Sequence, residues 1–337
     1  MIVRQVLDFR AGAPWTDRAL EVHRRAAASA WGDPGHPSSE GRRAATWLDA
    51  ARATVRDLTG FRHVVFVPNR DAALIAAMEA LGSPRVAAPA THRRAVLARS
   101  SSVVSVDAHG HARWDAPWDT GGASFLAMQL ANEETGVMDL APPGARVILD
   151  ASAAFGRVPL PAGVDVVCSD FRAVGSPADA AVVLSMRPLD IPDALQVPAA
   201  VVAVDALTSA WHGMHARAEA FERAFHTFEH EVCDRLPDVQ FHGTDRAPHL
   251  RSLSVLHLDA ETLMGALDAR GWVTGSGSAC VRDGEPSHVL AAMGRITHGN
   301  LRLALPVELD PTVLRAFAED LVETVTRLRI EAGVDDL

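Results

Sequence analysis

Short apolar runs alternate along this chain with longer stretches whose apolar residues recur every three or four positions. VVFV (64–67) precedes RDAALIAAMEALG (70–82), and RVILD (146–150), VDVVCSDF (164–171) and AAVVLS (180–185) follow in the same manner. Apolar runs of this length, rich in β-branched residues and separated by helical periodicity, predict βα units and a largely parallel sheet. Residues 211–236 carry spaced apolar positions among many charges, which predicts a long connecting helix closed by Pro237. Beyond it the pattern changes. LRSLSVLHL (250–258) alternates like a strand, ETLMGALDARG (261–271) reads as a helix ending at a glycine stop, and an amphipathic helix is expected from Pro311 onward. The division predicted is a large α/β unit up to about residue 235 and a smaller α+β unit after it.

Composition sharpens this picture in three ways. With 337 residues, 48% of them hydrophobic, the chain can bury a full core. Its net charge is −10 and its arginines are scattered, so no basic footprint for nucleic acid is present. No stretch reaches the roughly 18 apolar residues of a spanning helix, and MIVRQVLDFRAG has no apolar signal segment, so no membrane association and a cytoplasmic location are expected. Cys168, Cys233 and Cys280 are too few and too scattered for a disulfide framework or a zinc site. HTFEH (226–230) has the spacing that puts two imidazoles on one helix face, but it lies in a charged helix without a third ligand. It is read as a solvated face, as are His212 and His215, and no metal is assigned. Finally, all 32 residues of the Lys+Arg total are arginines. The chain has no lysine, and it has no tyrosine.

Several segments, spread from end to end, carry a resemblance. WGDPGHPSSEGRRA (31–44), QLANEETGVMD (129–139), ILDASAAFGRVP (148–159), VDVVCSDFRAVGSP (164–177), GSGSAC (275–280), EPSHVLAAMG (285–294) and HGNLRLAL (298–305) are similar, in this order, to motifs of the cysteine desulfurases. The resemblance implies a fold type I transferase of the pyridoxal-phosphate (PLP) class. Such a fold has a mainly parallel seven-stranded sheet in a large domain, here expected over 13–235, and a small α+β domain from 1–12 with 236–337. It also implies a dimer.

The family holds PLP by an imine to lysine, and the matching position is Arg172. A guanidinium stays protonated and offers no free amine, so covalent PLP is excluded there, and no cofactor is expected. Noncovalent PLP is disfavoured by the same deficit and by Asp71, which stands where the family has a phosphate-binding threonine, with Arg70 beside it. Phe171 replaces a histidine, Ala153 replaces the glutamine at the ring oxygen, and Arg93 stands where a histidine stacks on the ring, with His92 adjacent. The family's glycine-rich phosphate loop is read as shortened to DALQVPAAVVAVDAL (193–207). Ser169, Asp150, Asn132, Arg302 and Cys280 are retained. Asp150 is expected to pair with Arg172, and Asn132 to serve either as a turn residue or as a substrate contact. Arg302 is either a substrate-carboxylate fork or an ordinary strand arginine. Cys280 corresponds to the family's persulfide cysteine. It is either a working sulfur acceptor or an inherited thiol.

The leading expectation is a desulfurase-like protein that has lost Schiff-base catalysis and serves as a non-catalytic partner or regulatory subunit in sulfur transfer. It would form a homodimer, or a heterodimer with an active desulfurase, and meet a sulfur-acceptor protein. PLP-independent sulfur transfer through Cys280 is the alternative, followed by a desulfurase using noncovalent PLP.

Overall fold

The computed structural model describes residues 4–82, 85–114, 124–194, 196–277, 286–310 and 312–334. The chain opens with a short strand β1 (Gln5–Val6) and two helices, α1 (Asp17–Ser29) and α2 (Ser39–Thr59). Strand β2 (His63–Val67) leads into α3 (Arg70–Ala80). Next come β3 (Val86–Pro89), the single turn α4 (Arg94–Leu97), β4 (Ser102–Val104), β5 (Phe125–Gln129), β6 (Val147–Asp150), β7 (Val166–Asp170) and β8 (Ala181–Ser185). Helices α5 (Val197–Trp211) and α6 (Met214–Arg235) connect to the last third. That part contains β9 (Gln240–Phe241), β10 (Leu250–Ser254), α7 (Ala260–Ala269), β11 (Trp272–Val273), α8 (His288–Ala292), β12 (Asn300–Ala304) and α9 (Thr312–Ala332).

The helix boundaries follow local chemistry. Ser38 caps α2, its hydroxyl accepting from Gly41 N at 3.0 Å, and Asn69 caps α3, its side chain accepting from Ala72 N at 2.9 Å. Gly60 closes α2 in the left-handed region at φ 77°.

Seven strands form one sheet in the order β2-β8-β7-β6-β5-β3-β4, and only β8 runs against the others. This is the mainly parallel seven-stranded sheet that the sequence implied. Strands β5 to β8 are buried at every position, as expected where helices cover both faces. Alternation assigns the faces: Leu126, Met128, Val147 and Leu149 join the core under α2 and α5, while Phe125, Ala127 and Ile148 join the core under α3.

A second core lies around β10 and β12, where Phe228 of α6 stacks on Phe317 of α9 and Phe225 packs edge-on against Phe228. β9, β10 and β12 form an antiparallel sheet, and β1 pairs in parallel with β11.

One sequence expectation is corrected here. Residues 193–207, read as a loop remnant, run into helix α5, because an Ala/Val-rich stretch with Pro198 in its first turn is a good buried helix and eight of its residues pack inside. The long connecting helix expected over about 211–236 is present as α6 (Met214–Arg235), set off from α5 by Gly213, which adopts φ 79°.

Candidate active-site cleft

Parallel sheets present their loops, and hence their sites, at the carboxyl ends of the strands. On this sheet those ends carry Asp150 (β6) and Asp170 (β7), with Asn132, Glu133 and Glu134 just beyond β5 and the amino end of α3 alongside. Beside α3 lies a cleft of about 230 Å³ whose lining includes Arg70, Asp71, Arg93, Asp170, Arg172 and Asp179.

Glu133 is the hub of the charges around that cleft. It is bonded to Arg70, lies 3.4 Å from Arg93 Nε and 3.5 Å from Arg10 Nη2. Burial pushes its carboxyl upward, yet the fields of Arg70, Arg10, Arg93 and Arg302 outweigh that and hold it well below the usual carboxylate range. Arg93 also donates to Asp71 at 2.5 Å, so the carboxylate at the α3 amino end is neutralised within the protein. Arg10 is buried and donates to Asp170 (3.1 Å) and to the Ser152 carbonyl (2.7 Å).

Other residues singled out in the sequence have taken non-polar or local roles. Phe171 is buried between Phe66 (centroids 6.4 Å apart) and Phe155 (5.7 Å), part of the core under the cleft. Ser169 is buried and donates to the Asp170 carbonyl. Ala153 is buried, and its carbonyl lies 2.9 Å from His249 Nε2. Asn132 is a turn residue: its Oδ1 accepts from the Glu134 and Thr135 amides and its Nδ2 donates to the Thr91 carbonyl. His92 is fully buried, its Nδ1 accepting from the Arg93 amide, and burial lowers its pKa to about 4.

The expected pairing of Asp150 with Arg172 does not occur. Arg172 follows β7 in a short 3-10 turn, leaves the cleft floor half exposed and bonds Asp179 at 3.2 Å. Asp150 stays beneath, accepting from the Ser152 amide, and its field is felt by Arg10, Arg93 and His92.

Arg302 is neither a surface residue nor an open fork. On β12, it is buried and grips the wholly buried Asp8 with both arms, Nε to Oδ1 at 3.2 Å and Nη2 to Oδ2 at 2.8 Å. The glycines of the GSGSAC motif make this packing feasible. A Cβ at Gly275 would fall 1.8 Å from Asp8 Oδ2, and one at Gly277 would fall 2.0 Å from the Glu134 carboxyl carbon. Glu134 accepts from Ser287 Oγ at 2.7 Å while its Oε1 is buried without a partner among the described residues, and burial raises its pKa to about 7. Cys280 lies outside the described residues. Cys168 is buried, with burial pushing its thiol up, and Cys233 is exposed.

On α6, Glu229 is committed to Arg246 and Arg251, and His230 to Asp234, which leaves the HTFEH segment a charged helix face. No metal-ligating group of side chains occurs among the described residues, and none of their helices is long and apolar enough to cross a membrane.

Sequence reasoning missed Arg10, Glu133, Asp170, Asp8 and Glu134. The one signal for them was polar: paired glutamates after an apolar strand, and an aspartate closing the run VVCS.

No family model matches the chain. Cysteine desulfurases named IscS from strains of Clostridium botulinum are 37% identical to it over 79 residues, which is 21% of this chain and only 20% of theirs. Solved structures extend the likeness over nearly the whole chain. A NifS-like protein superposes with a TM-score of 0.81 at 18% identity, covering 96% of this chain and 100% of that one. The NifS-like protein of Rickettsia africae gives 0.81 at 17% identity, covering 96% and 99%. The apo cysteine desulfurase of Thermococcus onnurineus gives 0.81 at 16% identity, covering 97% and 95%.

Proposed function

We propose that this chain, which has the fold of a cysteine desulfurase and resembles that family in sequence, has given up Schiff-base PLP catalysis. On this reading it acts as a non-catalytic partner or regulatory subunit in sulfur transfer, as a homodimer or paired with an active desulfurase, with its large unit over 13–235.

The observation that carries this reading is chemical. Position 172 is an arginine turned toward Asp179, and the chain offers no lysine side chain in its place. PLP does not fit the residues present. An imine needs a free primary amine, which no side chain here supplies, Arg93 is tied to Asp71 and Glu133, and Phe171 is committed to an aromatic core. A family-like dimer needs no chemistry from both of its halves, so loss of the site is compatible with a role as a paired subunit.

The test is direct. Purified protein mixed with PLP is expected to show no imine absorption band and to release no alanine from L-cysteine. Mixed with an active desulfurase of the same source, it is expected to co-elute as a defined complex. A band at the imine wavelength together with alanine release would overturn the reading.

A second reading keeps chemistry at Cys280, as a PLP-independent persulfide carrier. It is favoured by the seating of the loop's first residues, Gly275 on Arg302 and Gly277 on Glu134. Treatment with a small persulfide donor followed by peptide mass spectrometry separates the two. Sulfane sulfur concentrated at Cys280 over Cys168 and Cys233 supports the carrier, and even labelling removes it.

A further inference from the structure

Arg10 lies four residues beyond β1, yet its guanidinium bridges the carboxyl ends of three adjacent strands of the large sheet. It donates to the carbonyl of Ser152 after β6 and to Asp170 at the end of β7, and it lies 3.5 Å from Glu133 beyond β5. Its side chain is 3% exposed. Asp150 adds its field from the end of β6, and Glu133 is held on its far side by Arg70 and Arg93. A carboxylate cluster at that end of a parallel sheet is where a ligand's charge is ordinarily received. Here the charge arrives from within the chain.

We infer that Arg10 is a built-in cation beneath the cleft, one that neutralises Asp170 and Glu133 and ties the three strand ends together from within the chain. This rests on the reading that the cleft no longer serves PLP, and it adds that the floor is ordered without any cofactor.

The inference predicts chemical complementation. Arg10→Ala takes the bonded cation from the buried Asp170, leaves Glu133 to Arg70 and Arg93 alone, and opens a socket shaped for a planar, fork-like cation, so the variant is expected to melt roughly 5 °C or more below wild type. Low-millimolar ethylguanidinium is expected to recover much of that loss in the variant and to leave wild type unmoved. Ethylammonium and sodium chloride, which lack the planar fork, are expected to recover less. Equal melting of variant and wild type, or rescue by ethylguanidinium no greater than by salt, overturns the inference. If Arg10→Ala does not fold, Arg10→Lys carries the test, since it keeps the charge and loses the fork. It is expected to melt below wild type, and equality overturns the inference. An imine band from PLP on wild type would sink the functional reading alone, whereas the rescue experiment decides Arg10 separately.

Discussion

Glu134 makes stability depend on pH in a direction opposite to most carboxylates. Burial raises its pKa from 4.5 to about 7, the Ser287 hydrogen bond and the Arg302 charge oppose that rise, and Glu133 adds to it. The folded protein therefore holds this proton more tightly than the unfolded chain does. Its contribution is fully present below the unfolded value and is lost as pH climbs through about 7, an overall change of about 3 kcal/mol at 1.36 kcal/mol per unit. Two buried histidines tilt the other way. His92 and His242 are pushed down to about 4 by burial, so their contribution is lost as pH falls below the ordinary histidine range. Glu134→Gln removes the first effect and keeps the second. Urea unfolding of both proteins at a series of pH values isolates it as a difference. Wild type is expected to lose about 3 kcal/mol relative to Glu134→Gln between about pH 4.5 and pH 7.5, with most of the change complete near pH 7. Parallel stability curves for the two proteins would refute the reasoning.

Asp8→Ala leaves Arg302 buried without its carboxylate and is expected to cost about 3–5 kcal/mol in denaturant unfolding. Phe171→Ala opens a hole between two aromatic rings and is expected to cost a similar 3–5 kcal/mol, with no recovery on adding PLP. Arg172→Ala breaks a pair whose aspartate is 82% exposed and is expected to change stability by less than about 1 kcal/mol, as a thermal melt would show. A loss of several kcal/mol there would mean that Arg172 belongs to the cleft floor after all.

Strands β6, β7 and β8 were legible because each is a short apolar run, buried on both faces, whereas β5 (FLAMQ) was not picked out. Nor was helix α5. Its Ala/Val run lacks the polar face that marks an amphipathic helix, since eight of its residues are buried, and so it was matched to a loop. The losses around the cofactor position were readable one residue at a time, and Arg172, Phe171 and Asp71 were found in that way. The replacement network was not readable, because its members sit far apart in the chain: Arg10 meets Asp170 across 160 positions and Asp8 meets Arg302 across 294. The sequence also placed Arg172 with Asp150, since both follow strand ends, but side-chain direction after a strand depends on the turn, and the 3-10 turn carries Arg172 outward.

The pairing of Asp8 with Arg302 has a bearing on how the protein is made. On the ribosome Asp8 emerges 294 positions ahead of Arg302, an interval of roughly 15 to 60 s at ordinary translation speeds. Arg10 meets its own partners much earlier, so the large sheet can close over its internal cation while Asp8, a few ångströms up the backbone, still waits in water. Slowing or stalling synthesis in the last stretch would therefore leave a nascent chain anchored at Arg10 while Asp8, two residues before it, is still without Arg302.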